Sequence, residues 1–248
     1  MAMQLEAWGF GRPWMAVQLG INLARPTIRL FYYVQDLLID RNGALYASTR
    51  SGGLQRSADG GTSWSQALSG ATTDLELGQD GDIYVASGIF STGSVRKSDF
   101  STHGAATGEN GNWLNITPAG SFQRIELATA PSDSNRVYLL CQSGSGNGVS
   151  NIFRSDNASS DSSITWTSLP VPTIIDQGSY PEFTRGQAWY DLISAVDPNN
   201  EDVVYIAGVD ALRSTDAGNK LDTNTLLGLC LLLLDLRPPK MYTLTTMR

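Results

Sequence analysis

The stretch "RSADGGTSW", residues 56–64, decides how the rest of the chain is read. Its skeleton is Ser57-x-Asp59-x-Gly61-x-x-Trp64, a spacing that suits a tight turn between strands and offers no catalytic set. A serine and an aspartate at the head of such a turn accept hydrogen bonds from the turn's own amides. Gly61 permits a backbone angle that a β-carbon resists, and Trp64 opens the next strand with a large ring to bury. The motif predicts a locked corner with a packing anchor.

Around this corner the chain repeats. Upstream, "DLLIDRNGALYAST" from Asp36 reads as strand, Asn-Gly turn, strand. The order returns from Asp74 in "DLELGQDGDIYVAS", from Arg124 in "RIELATAPSDSNRVYLLCQ" and from Asp191 in "DLISAVDPNNEDVVYIAG". Tyr46, Tyr84, Tyr138 and Tyr205 take one equivalent place. Each unit offers four short antiparallel strands in about 40 to 65 residues, the size of a propeller blade with loop insertions. A lone blade cannot cover both its faces, so such units stack about an axis. The sequence therefore predicts an all-β chain: a β-propeller of four-stranded antiparallel blades, three complete and most of a fourth, in an incomplete or open ring.

Residues 1–30 precede the repeat, and Trp8 and Trp14 there fit a strand donated to the first blade. Residues 31–218 hold the blades. In residues 219–248 neither the repeat nor its turn chemistry is legible, and the fourth strand expected after Gly218 is missing from the pattern. This tail, with its apolar run 226–236, reads as the product of a truncated or shifted reading frame, or else as a cap on the open edge.

Composition agrees with many short strands: 25 glycines and 10 prolines in 248 residues, with only 17% charged. A net charge of −7 without a basic cluster argues against a nucleic-acid partner. Cys141 and Cys230 have no disulfide or metal-ligand spacing and read as free thiols. The start of the chain lacks a secretory leader's basic and apolar regions, and no apolar run is long enough to span a bilayer as a helix. No cofactor motif is present, and the sole histidine, His103, reads as an exposed loop residue. The turns "DRNG" and "QDGD" are acidic but short of the ligand count that a calcium loop needs, so no metal is expected.

These residues resemble the Asp-box (BNR) β-propellers, which include sialidases, xyloglucanase-like glycoside hydrolases and sortilin-type receptor domains. The box is complete at Ser57, Asp59, Gly61 and Trp64. Ser214, Asp216 and Gly218 match with Leu221 in the tryptophan's place; Asp99 and Trp113 match with Lys97 at the serine; Ser155 and Trp166 match with Asn157 for the aspartate. The resemblance covers about residues 31–220. It implies that the boxes are structural, that they face away from the ligand site, and that the parent protein works outside the cell or at its surface. Members of that family close larger rings, so missing blades or a second copy are expected to cover the open edge. No arginine cluster or Arg-Ile-Pro start of the sialidase kind is present, and no catalytic residue is carried over.

Candidate site residues come from position. Inner strands of a propeller begin beside the central channel on the face where ligands bind, which singles out Asp36, Asp74, Arg124 and Asp191. These fit a polar ligand or a wetted channel equally. Trp189 and Tyr190 beside Asp191 fit a sugar-stacking surface, and Trp189 fits core packing as well. The polar stretch 176–187 reads as a loop shaping that face. Three functions remain open: a non-catalytic extracellular propeller binding carbohydrate or protein, a glycoside hydrolase with Asp36, Asp74 or Asp191 as a carboxyl group, and a structural module of a surface protein.

Overall fold

The computed structural model describes residues 29–160, 163–174 and 182–222. Trp8, Trp14, Cys230, the apolar run 226–236 and positions 176–181 of the polar loop lie outside the described residues.

The four repeats are four antiparallel sheets, each in simple sequence order. Blade 1 comprises β1 (Val34–Ile39), β2 (Leu45–Thr49), β3 (Gly53–Ser57) and β4 (Ser65–Leu68). Blade 2 comprises β5 (Thr72–Leu77), β6 (Ile83–Ser87), β7 (Ser94–Ser98) and β8 (Leu114–Asn115). Blade 3 comprises β9 (Phe122–Ala130), β10 (Asp133–Ser143), β11 (Val149–Ser155) and β12 (Thr167–Leu169). Blade 4 has β13 (Ile193–Asp197), β14 (Asn200–Ala207) and β15 (Ala211–Ser214). Beyond Gly218, Asp222 forms an isolated antiparallel bridge to Arg213, and Leu221 is half-buried against the blade 3–4 core, in the box position where a tryptophan is expected.

Local chemistry explains the hairpins. In the first, Gly43 turns at φ +82°, and Asp40 Oδ1 accepts from the amides of Asn42 (2.8 Å) and Ala44 (2.9 Å). That positive φ is open to glycine at little cost. The corner at Ser57 closes as its motif requires: Gly61 N–H donates to Ser57 Oγ (2.8 Å), and Ser63 N–H donates to Asp59 Oδ1 (2.8 Å). Ser214 and Asp216 reproduce it, receiving Gly218 N–H (2.9 Å) and Lys220 N–H (2.9 Å). Asn157 serves in blade 3, where its Oδ1 accepts from Thr165 N–H (2.9 Å).

Blade 2 departs from the spacing read in sequence. Ser98, not Lys97, pairs across the sheet as Ser57 does, and its Oγ receives Gly108 N–H (2.8 Å). A short helix α1 (Phe100–His103) is inserted in the corner, and Asp99 caps it by accepting from Thr102 N–H (2.6 Å). His103 ends that helix and is half-buried, not an exposed loop residue.

Cross-strand register puts the four tyrosines in one column and reveals a partner for each on the third strand. Tyr46 faces Arg56, Tyr84 faces Lys97, Tyr138 faces Arg154 and Tyr205 faces Arg213. The first three pairs reach the corner region of the following blade. Tyr46 Oη donates to the Thr107 carbonyl (2.8 Å) and Arg56 to Ala105 (2.9 Å). Tyr84 Oη and Lys97 Nζ both donate to Ala158 (3.2 and 2.9 Å). Tyr138 Oη donates to Glu201 (3.0 Å) and Arg154 to Ala217 (2.8 Å). Buried tyrosine hydroxyls and peptide carbonyls both need partners, so this arrangement satisfies both across each blade junction.

The core lies between sheets. One cluster joins Tyr46 and Leu54 of blade 1 to Leu75, Ile83 and Val85 of blade 2. Another joins Tyr84 and Val95 to Leu127, Leu139 and Cys141 of blade 3. The last joins Tyr138, Leu140 and Ile152 to Val204, Ile206 and Leu212 of blade 4. Inner strands follow one another in the order β1, β5, β9, β13. The ring is open: Leu37 and Ile39 on β1 are 50% and 63% exposed, and Ile193 on β13 is 61% exposed, whereas Leu75 and Leu127 are sealed at 4% and 1%.

Candidate functional site

Inner strands begin on the face opposite the serine corners, and acidic side chains line the axis there. The Asp36 carboxylate accepts from its own neighbour Leu37 N–H (2.7 Å) and from Leu75 N–H of blade 2 (3.1 Å). Asp74 repeats this, taking Leu75 N–H (2.9 Å) and Leu127 N–H of blade 3 (2.6 Å). Both predicted aspartates thus join neighbouring inner strands. In the blade 3 register their counterpart is Glu126, not Arg124, which lies two residues earlier. Counting from the strand start misses this because β9 begins two residues further from the tyrosine's cross-strand partner than β1 and β5 do, and all three carry an irregularity near their first pairs.

Burial dominates the electrostatics of this group. It holds Asp74 up to about 6, with the backbone bond from Leu127 working against the shift. Glu76, two residues after Asp74 on β5, rises to about 8 through burial and the nearby Asp74 charge. Glu126 also rises to about 8 through burial and Asp74, partly offset by Arg124, which bonds it at 3.0 Å. Both glutamates beside the axis therefore hold a proton to higher pH than an exposed carboxyl does.

Arg124 and Asp191 meet at the rim. Burial raises the Asp191 carboxyl, Glu182 adds to the shift, and Arg124 opposes it. Among the described residues Asp191 Oδ1 and Arg124 Nε are both buried without a hydrogen-bond partner, an acceptor and a donor left for a polar guest or for water. Asp36 and Asp74 lack this openness, since backbone amides of two blades engage them.

On the same face a ribbon of exposed rings crosses the blades. Trp189 and Tyr190, in the connection into β13, have ring centroids 4.3 Å apart. Phe90, from the β6–β7 loop, lies 5.7 Å from Trp189. The Arg50 guanidinium, from the β2–β3 loop, sits 4.8 Å from the Phe90 ring and 5.5 Å from that of Tyr33. Trp189 is 37% exposed, Tyr190 48%, Phe90 56% and Tyr33 68%, so none of them is a core ring. Sequence reading singled out only the Trp189–Tyr190 pair. Phe90 and Tyr33 sit at positive φ (57° and 58°), which is uncommon for such bulky residues and places their rings outward from tight turns.

On the other end, an open pocket beside α1 is lined by Lys97, Asp99, Thr102, His103 and Trp113. Lys97 is already committed there, 2.6 Å from Asp82 and 3.4 Å from Asp99, so this pocket lies over structural ion pairs. Among the described residues no group of three His, Cys, Asp or Glu side chains is placed to hold a metal, and no helix is long and apolar enough to cross a membrane. Cys141 is a free, buried thiol whose pKa burial pushes up.

No protein-family profile matches the chain, and no curated protein does. Solved structures do. A GH74 enzyme of Niastella koreensis aligns at a TM-score of 0.53 and 20% identity, over 75% of this chain and 30% of the enzyme. An ancestral GH74 enzyme aligns at 0.50 and 17% identity, over 76% and 23%. The chain thus spans less than a third of either enzyme, and at such identity the likeness bears on the fold, which is that of a β-propeller.

Proposed function

We propose that this chain is a non-catalytic binding propeller that takes an oligosaccharide on the ribbon Tyr33–Arg50–Phe90–Trp189–Tyr190, working outside the cell or at its surface. The carrying observation is the ribbon's continuity: four exposed rings and a stacked guanidinium, drawn from four separate chain segments, on the face where inner strands begin. Sugar rings stack on aromatic faces while hydroxyls seek fixed polar groups. Asp191, two residues after Trp189, and Arg124 supply such an acceptor and donor. The resemblance to Asp-box propellers supports the extracellular setting, and the glycoside hydrolases among the structural neighbours make a glycan the first ligand class to try.

Titration of the tryptophan fluorescence with neutral oligosaccharides, xyloglucan fragments among them, tests the reading. Trp189→Ala and Phe90→Ala are each expected to weaken binding about three- to tenfold, the equivalent of roughly 0.5–1.5 kcal/mol for an aromatic contact. Saturable binding of a protein ligand at the same rings, with no glycan bound, would move the reading to protein recognition.

A hydrolase reading draws on the placing of Glu76 and Glu126 beside Asp74 at the axis, where burial raises both glutamates, since glycoside hydrolysis needs a carboxyl held as an acid. Reducing-sugar release that disappears in Glu126→Gln or Asp191→Asn would favour it. Absence of both binding and release would leave a structural module.

A further inference from the structure

We propose that the two open ends of the arc are halves of one interface: blade 4 of one copy receives blade 1 of a second copy, head to tail, and two copies close a ring. The three junctions inside the chain share one pattern. At each one the cation opposite the tyrosine donates to a corner carbonyl of the next blade, and the tyrosine donates to a carbonyl of that same blade, in the corner for Tyr46 and Tyr84 and on β14 for Tyr138. Thr107 and Ala217 immediately precede the glycines whose amides bond the corner serines, and Ala158 holds the matching place in blade 3. All three are buried beneath the preceding blade.

At one end of the arc the donors stand ready. Tyr205 faces Arg213, with the guanidinium 5.7 Å from the ring, and Arg213 Nε is buried without a hydrogen-bond partner among the described residues. On the sheet face around them the apolar side chains of Ile193, Ala195 and Ala211 are exposed. The register counterparts of Ala195 and Ala211 in blade 3, Ala128 and Ile152, are each only 1% exposed. At the other end the acceptor stands ready. Gly60 precedes the corner glycine of blade 1, is exposed, and has nothing within 4 Å of where a Cβ would sit. Leu37, on the inner strand of the same blade, is 50% exposed, whereas its register counterparts Leu75 and Leu127 are sealed at 4% and 1% inside blades 2 and 3.

Each end therefore lacks what the other offers, and the missing contact is one the chain already makes three times. Such a surface fits a second copy better than a chemically unrelated partner. A head-to-tail contact either closes or grows into a filament, and two copies of four blades reach about eight, within the range at which propellers close.

The full chain tests this by native mass spectrometry and light scattering at about 10 μM, a level at which a contact of micromolar affinity is populated. The expected mass is that of a dimer; a monomer overturns the proposal, including the case in which the chain's own termini cover the ends. Ile193→Glu spoils blade 4's face and Leu37→Glu spoils blade 1's. Both residues are exposed, so the fold is kept, and a melting curve checks it. Each variant alone is expected to run as a monomer, whereas mixing them leaves one good face of each kind and restores a heterodimer. Dimers that survive either change, or variants that fail to rescue each other, overturn the head-to-tail contact. Arg213→Met is expected to weaken the dimer about tenfold.

Discussion

Lys97→Met asks whether blades are held together through buried polar contacts at their corners. The Lys97 side chain is 1% exposed and lies 2.6 Å from Asp82, itself 3% exposed, and 2.9 Å from the Ala158 carbonyl of the next blade. Methionine keeps the aliphatic stem and removes the ammonium. Ala158 keeps a donor in Tyr84 Oη, so the main loss falls on Asp82, which retains only the Phe100 N–H bond at 2.7 Å. Breaking a buried ion pair in this way costs about 3–5 kcal/mol. The carboxyl has an escape in taking up a proton, and burial already raises its pKa, with Lys97 opposing that shift.

That escape caps the loss. Neutralising an aspartate of ordinary pKa 3.8 at pH 7 costs about 4.4 kcal/mol, and at pH 5 about 1.6 kcal/mol. Urea melts followed by circular dichroism should thus show a loss of roughly 3–4 kcal/mol at pH 7 and under about 2 kcal/mol at pH 5. Adding Asp82→Asn, which removes the charge and leaves an acceptor for Phe100, should recover at least half the loss at pH 7. A loss equal at both pH values, or none, would refute the reasoning.

The axis glutamates predict a second pH effect of their own sign. Glu76 and Glu126 are raised from 4.5 to about 8, so the folded chain holds protons that the unfolded chain has released, and stability falls as pH rises from about 4.5 through 8. Chemical denaturation at pH 5, 7 and 9 should show this decline, and Glu126→Gln should flatten part of it. Asp59 behaves oppositely: Ser63 and Ser57 hydrogen bonds lower it to about 2, so Asp59→Asn should destabilise the corner at pH 7 and lose that effect as the pH of a melt falls through about 2. Gly93→Ala would set a Cβ 2.0 Å from the Gln123 carbonyl oxygen of blade 3; a loss of more than about 2 kcal/mol in a urea melt is expected, since backbone atoms on both sides must move.

The blades were legible because their signals are local. The Asn42-Gly43 turn, the Ser57–Trp64 corner and the recurring tyrosines each report a backbone need or a packing place within a few residues. What escaped depends on register and on distant segments. Lys97 looked like a degraded corner serine because α1 is inserted next to it, and only pairing with Tyr84 shows it to be the counterpart of Arg56, Arg154 and Arg213. Glu126 was missed for a similar reason, since β9 begins two residues further from the tyrosine's cross-strand partner than β1 and β5 do.

The candidate site was half legible. Asp191 with Trp189 and Tyr190 is a sequence neighbourhood and could be read as one, while Phe90 and the Tyr33–Arg50 contact come from loops with no period to betray them. Their meeting follows from blade order alone, which brings the β2–β3 and β6–β7 loops to the face where β13 begins.

A crystallographic map of the full chain tests the central claim, that successive blades are joined by a tyrosine and a cation reaching the next blade. The account predicts the hydroxyls of Tyr46, Tyr84 and Tyr138 within hydrogen-bonding distance of the carbonyls of Thr107, Ala158 and Glu201, with β1, β5, β9 and β13 side by side in that order. Tyrosine hydroxyls turned to solvent, or inner strands paired into one continuous sheet, would contradict it.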